Sequence, residues 1–281
     1  MLTSMAVVGL VKLVSRGLDE SVDAEKDFRA RLLLQSARNI ASHPLITRGD
    51  PLLKQQLGPV TSYEITLTTE GSRIAINQIG SGLPQRNMTQ RLFEQWGLDS
   101  SQARSLVESI ADWTDTDDRP LPQGAERDVY LALEHPDYPW NRPFENLEEV
   151  LLVRGADAME KVRPEWRDSF TLYGDGSIDV NTAPSGILEA LFDVTPLEVS
   201  RLVRTRDGPD DTADTGDDVI LGSMEEVRRV LDVPERQYRR ASRILTLAHP
   251  IRRTECLARA GNLERRLILL NGPGLSLIRE E

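Results

Sequence analysis

"SIDVNTAPSGILEALFDVTPLEVSRLVRTRDG", residues 177–208, decides how the middle of this chain folds. Ile178 and Val180 alternate as a short strand. Asn181-Thr182-Ala183-Pro184 then opens a helix, with a capping side chain outside and proline close inside. Ile187, Leu188 and Leu191 stripe that helix, Asp193-Val194-Thr195-Pro196 breaks it, and Val199, Leu202 and Val203 stripe a second one. The pattern is a helix-hairpin-helix. Modules of this kind that bind DNA use a Gly-rich turn whose bare amides reach a phosphate. Here Asp193 puts a negative charge at the turn, and Pro196 has no amide hydrogen to give.

The whole chain argues the same way. Its 281 residues carry 34 Lys+Arg against 45 Asp+Glu, a net charge of −11, and a field of that sign repels phosphate backbones. A helix-hairpin-helix nucleic-acid-binding protein is therefore the alternative reading, resting on Arg201, Arg204 and Arg206 alone. Cys256 is the single cysteine, so neither an internal disulfide nor a cysteine metal cage is available. The length suits one large domain or two modest ones.

Outward from the hairpin, both ends of the chain read differently from the middle. "MLTSMAVVGLVKLVSRGLDE" opens with an apolar run from Leu2 to Val14, shorter than the ~20 residues of a membrane span. It has neither a basic n-region nor a small-residue cleavage site, so it is not an ordinary signal peptide. It reads as the later part of a membrane helix, or as an amphipathic helix packed on a domain. Leu18, Val22, Phe28, Leu32, Leu33, Ala37 and Ile40 continue the helical spacing to about Ser42, where His43-Pro44 ends it. "SYEITLTT" alternates Tyr63, Ile65 and Leu67 on one face, and with Glu-Gly-Ser and "RIAINQI" it reads as a β-hairpin. "RILTLAHPIRRTECLARAGNLERRLILLNG" alternates again around Gly261-Asn262. The fold class is therefore α+β: a long N-terminal helix and an antiparallel sheet, interrupted by a large helical domain. The expected domains are 1–45 (helix), 46–80 with 241–281 (β head), and 81–240 (helical insertion). Within the insertion "FENLEEVLLV" and "LGSMEEVRRV" share one frame, with Asn146 and Ser223 as N-caps and Glu149 and Glu226 placed to reach back to the cap amide.

Catalysis finds no support among the motifs. His43, His135 and His249 are the only histidines, without metal-ligand spacing, and no P-loop, GxSxG or GxGxxG occurs. "DWTDTDDRP", residues 112–120, follows a helical run rather than a buried strand, so it reads as a helix end bracing a loop. The candidate metal ligands lie elsewhere. "DGPDDTADTGDD" carries Asp207, Asp210, Asp211, Asp214, Asp217 and Asp218 on one loop that Gly208 and Gly216 let turn tightly. Such carboxylates repel one another unless the loop extends into water or a cation gathers them, and hard oxygen ligands favour Ca²⁺.

Three linked stretches carry a resemblance. "SIADWTDTDDRPLPQGAERDVY", "NRPFENLEEVLLVRGA" and "IDVNTAPSGILEAL" occur in the order and style of the minor pseudopilin K of type II secretion systems, over roughly residues 70–250. The family's chains begin with a short basic leader, a cleavage point after Gly and a full apolar helix, of which this sequence shows a part. The resemblance implies a structural protein, not an enzyme, with a pilin-like architecture. It implies a subunit capping the pseudopilus tip, partnered by the I and J pseudopilins, whose bulky helical domain stops further subunits stacking. It also implies a single-pass anchor in the inner membrane with the head in the periplasm, and no nucleic-acid partner.

Overall fold

The computed structural model describes residues 2–210 and 212–280. Chain order runs α1 (Leu2–Ala41), β1 (Lys54–Gly58), β2 (Thr61–Thr69), β3 (Ile74–Ala75), α2 (Leu83–Gln95), α3 (Ser100–Thr114), α4 (Arg127–Ala132) and α5 (Ala156–Val162). It continues with β4 (Phe170–Thr171), β5 (Ile178–Asp179), α6 (Ser185–Phe192), α7 (Pro196–Arg206), α8 (Met224–Leu231) and α9 (Glu235–Ala241). The last strands are β6 (Leu245–Thr246), β7 (Arg252–Ala260), β8 (Leu263–Gly272) and β9 (Leu275–Glu280). Two compact units result. The first is Met1–Leu67, Asp214–Gly216 and Arg253–Glu281; the second is Thr68–Ala213 and Asp217–Arg252.

The first unit is a long helix on a sheet. Its five strands run in the order β1-β2-β7-β8-β9, with β1–β2 and β8–β9 antiparallel. Ala30, Leu34 and Ala37 recur at helical spacing on α1 and are buried, and Leu34 and Ala37 pack on Tyr63, Ile65, Cys256, Ala258, Leu267 and Leu269 from alternate positions of the strands. Asp27 fixes the helix further, accepting from Arg265 at 2.6 Å. The helix is as long as the sequence implies, and Leu33, Ala37 and Ile40 of the expected stripe pack on the sheet, whereas Phe28 is 63% and Leu32 47% exposed. Ala30 and Ala37 are fully buried with Leu34, while Val22, Phe28 and Leu32 face away. Among the described residues, no helix is long and apolar enough to cross a membrane.

β2 and β7 are neighbours in the sheet, so the stretch from Glu70 to Ile251 leaves and re-enters at adjacent points. The Glu70 amide donates to the Ile251 carbonyl at 2.9 Å. Here the hairpin expected from residues 62–79 does not form. Glu70–Ser72 is a buried 3-10 turn, and β3 pairs in parallel with β4, Ile74 opposite Phe170, instead of folding back on β2. Alternation reports which face is buried; it does not say which strand lies alongside. The observed division at 67/68 and 252/253 differs from the bounds 80 and 241 because Ile74, Ile76, Ile79, Ile244 and Leu245 join the helical unit's core.

That unit is built on Trp113, Trp166, Tyr130, Phe93 and Phe170, all with at most 2% exposure. Three of its α-helices, α3, α7 and α8, start with side-chain caps for the orphan amides, while α2, α4, α5, α6 and α9 have none. Asp99 and Gln102 form a capping box on α3, and Thr195 and Glu198 form one on α7. Asn146 and Ser223 accept the amides of Glu149 and Glu226, as the sequence frame implies. The glutamates do not return the bond to the cap amide: Glu226 takes the Gly222 amide at 3.0 Å, and Glu149 takes the Asn146 side chain at 2.8 Å. Two buried polar side chains pin the region of residues 177–208. Asn181 bridges the Leu221 amide and carbonyl and the Leu247 carbonyl. Arg206 donates to the carbonyls of Val180 and Ala183 and pairs with Asp207 at 2.7 Å.

Candidate metal centre

Asp112 lies in the last turn of α3, Asp115 is at the C-cap position of that helix, and Glu126 is at the N-cap position of α4 without a capping hydrogen bond from its side chain. One ligand oxygen from each falls within 4.8 Å of the others. A helix C-terminus exposes carbonyls and disfavours anions, so two carboxylates there need compensation. Part of it is local. Both Asp112 oxygens accept the Leu121 amide at 3.2 Å, and Glu108, one turn earlier, takes the Gln123 amide at 2.6 Å. The motif thus braces its loop as the sequence implies. Gly124 is required for the approach, since a Cβ there would sit 1.9 Å from Asp112 Oδ2.

Glu126 is not compensated. It is 3% exposed, and neither carboxylate oxygen has a hydrogen-bond partner. Burial, then the charges of Asp112 and Asp115, pushes its pKa up to about 8; burial likewise pushes Asp112 up to about 6. A buried carboxylate without a partner is costly, so a proton or a cation is needed. Asp115 is half-buried and lines a cleft of about 410 Å³, together with Asn77, Ser81, Arg86, Thr114 and Arg119. That cleft gives the cluster a path to solvent. Three carboxylates form a hard-oxygen donor set that fits Ca²⁺, with bidentate binding able to supply up to about six oxygens.

A pH dependence follows for the metal-free protein. Glu126 holds its proton in the fold up to about 8, whereas its ordinary value is 4.5. The folded state therefore binds more protons than the unfolded chain between those values, and stability falls as pH rises through that window. With chelator present, the melting temperature is expected to decline from about pH 5 to about pH 8, and Glu126→Gln to flatten the decline. A flat profile in the unsubstituted protein would contradict the assignment of Glu126.

The Asp-rich loop is arranged differently. Asp207 pairs with Arg206, and Asp214 pairs with Arg48 at 2.6 Å within the first unit. Asp217 accepts the Asp210 amide, Asp210 accepts the Thr212 amide, and Gly208 takes a positive φ of 75° as the turn requires. Asp218 also has partners, and Asp211 lies outside the described residues. Among the described residues, the carboxylates gathered closely enough for one cation are those of Asp112, Asp115 and Glu126. The sequence signal for them is the pair of acids one turn apart at a helix C-terminus; Glu126 joins only through the fold of the loop. At the hairpin turn, the amides of Asp193 and Val194 both donate to the Glu189 carbonyl, and that of Thr195 to Glu198. None of the three is left for a phosphate.

An α+β protein with a helix-on-sheet unit and a helical insertion between neighbouring strands is the class these features define. Comparison with known proteins gives the particular relatives. Residues 72–164, which include all three clustered acids, match the family model described as type II secretion system protein K. The chain is 32% identical over 118 residues to type II secretion system protein K of Pseudomonas aeruginosa, and 31% identical over 126 residues to that of Klebsiella pneumoniae. Each alignment covers 41% of this chain, but only 34% and 37% of the relatives' own lengths. The fold resembles a chain of the GspK-GspI-GspJ complex from the enterotoxigenic Escherichia coli type 2 secretion system, with TM-score 0.59, 18% identity and 96% of both chains covered. The resemblance seen in the sequence motifs is matched by these findings: over residues 72–164 the chain is similar to type II secretion system protein K.

Proposed function

We propose that this chain is the minor pseudopilin that caps the tip of a type II secretion pseudopilus, a structural part of protein export and not an enzyme. The observation that carries the reading is the helical unit inserted in the chain between β2 and β7, which are neighbours in the sheet, together with the fold likeness over 96% of a chain of the GspK-GspI-GspJ complex. In this reading its partners are the I and J pseudopilins. α1 extends an apolar segment that holds the chain in the inner membrane, and both units stand in the periplasm. The full chain co-expressed with the I and J pseudopilins of its own organism is expected to co-purify as one complex. Separate elution of this chain while I and J remain paired would overturn the reading. So would retention on duplex DNA that weakens steeply with salt, which is the signature of the nucleic-acid alternative.

The cluster of Asp112, Asp115 and Glu126 takes Ca²⁺ in this proposal, which ties the end of α3 to the start of α4. The unpartnered Glu126 carboxylate supports it. The Asp207–Asp218 loop is the second calcium candidate, and its carboxylates that already meet arginines weigh against its being the tighter one.

A further inference from the structure

A second concavity in the helical unit has the opposite charge to the acidic cluster. Leu83, Asn87 and Arg91 recur every four residues on α2 and face Leu191 of α6 and the end of α9, enclosing about 300 Å³. Arg240 and Arg243 complete the wall, and none of the lining residues is acidic. Leu191, Ala241 and Ile244 are buried and supply an apolar floor. Arg91 is held rigidly: its guanidinium donates to the carbonyls of Ala190 at 2.6 Å and Leu191 at 3.3 Å, and meets Asp193 at 3.9 Å. These bonds satisfy the C-terminal carbonyls of α6 while holding a cation beside the pocket. Arg240 and Arg243 are exposed and form no ion pair among the described residues. Burial lowers the Arg91 pKa despite the charges of Asp193 and Glu94, and the neighbouring charge of Arg240 lowers it further.

Three arginines line this apolar floor, and with only Arg91 paired among the described residues, to Asp193, the wall keeps a local excess of positive charge in a chain of net charge −11. We propose that this pocket docks a carboxylate side chain, Asp or Glu, flanked by an aliphatic residue on a protein partner. The guanidinium forks suit a carboxylate, and the floor suits the methyl groups beside it. The overall field opposes a polyanion such as nucleic acid far more than a single carboxylate on an otherwise apolar segment. A pocket of this volume accommodates a side chain or two and not a stacked strand.

The test uses the full chain and a fluorescein-labelled peptide, Ser-Gly-Leu-Glu-Leu-Gly-Ser, with its Gln counterpart, read by anisotropy. Arg240→Glu combined with Arg243→Glu is the variant, because neither residue holds the fold together, and an unchanged melting curve verifies that. The Glu peptide is expected to bind, and either the variant or the Gln peptide to weaken binding by about tenfold or more. Equal binding of the Glu and Gln peptides, or binding that survives the double substitution, would overturn the proposal. A duplex oligonucleotide bound through the same two arginines would overturn it too, in favour of a nucleic-acid site. Arg91 is left intact, since its loss would free the end of α6 and confuse docking with folding.

Discussion

Calcium is expected to raise the melting temperature of the full chain, and chelator to return it to the baseline. A ligand that binds only the folded state stabilises it by mass action, about 2.7 kcal/mol at a hundredfold excess over its dissociation constant. The metal-free state starts at a disadvantage because Glu126 is buried without a partner beside two other acids. Asp115→Asn and Glu126→Gln should each abolish most of the rise, for different reasons. Asp115→Asn removes a ligand at the mouth of the cleft; Glu126→Gln removes a ligand too, and also the proton uptake that burial of the acid requires, and so stabilises the metal-free protein. Asp210→Asn combined with Asp217→Asn reports on the loop instead, and it should leave most of the rise in place. Magnesium should substitute poorly, since it keeps its waters and demands a stricter octahedron. Identical melting curves with calcium and with chelator would remove the metal from both places. A rise lost only in the loop variant would move it from the cluster to the loop.

That contrast shows what the sequence could and could not tell. Asp207–Asp218 stands out because six acids sit side by side, but adjacency in sequence is not convergence in space: Asp207 and Asp214 turn instead to Arg206 and Arg48. Asp112 and Asp115 were visible as acids at a helix end, an unfavourable place for them, and that was the usable sign. Glu126 was invisible, because only the loop closed by Gly124 brings it near. The fold follows the same rule. The length of α1, the strand character of residues 61–69 and 252–272, and the caps at Asn146 and Ser223 are local, and local patterns carry them. The parallel pairing of β3 with β4 joins residues nearly a hundred positions apart, and no periodicity encodes it. On α1 the stripe read from the sequence includes Leu33, Ala37 and Ile40, which pack on the sheet, together with Val22, Phe28 and Leu32, which do not; Ala30 and Leu34 are buried outside it, because size is not burial.

Trp113→Ala should cost the helical unit roughly 3–5 kcal/mol, the range for deleting a large buried aromatic. The side chain is fully buried, stacked on Phe144 with centroids 6.0 Å apart, and it meets Tyr130 edge-on at 5.6 Å, with Tyr138 and Trp140 also in contact. Residues 130–144 contribute four of these rings but little regular structure after α4, so the indole is what that segment packs around. Its Nε1 has no acceptor, so the loss on substitution is of packing, not of a hydrogen bond. Trp113→Phe keeps an aromatic ring in the cluster and should recover more than half of the loss. Because Asp112 and Asp115 flank this residue, the alanine variant should also loosen the acidic cluster and lower calcium affinity, although no ligand is removed. Denaturant unfolding of the two variants, each with calcium and with chelator, measures both effects. A Trp113→Ala protein as stable as the parent, or one destabilised with its calcium response intact, would separate the aromatic cluster from the metal centre.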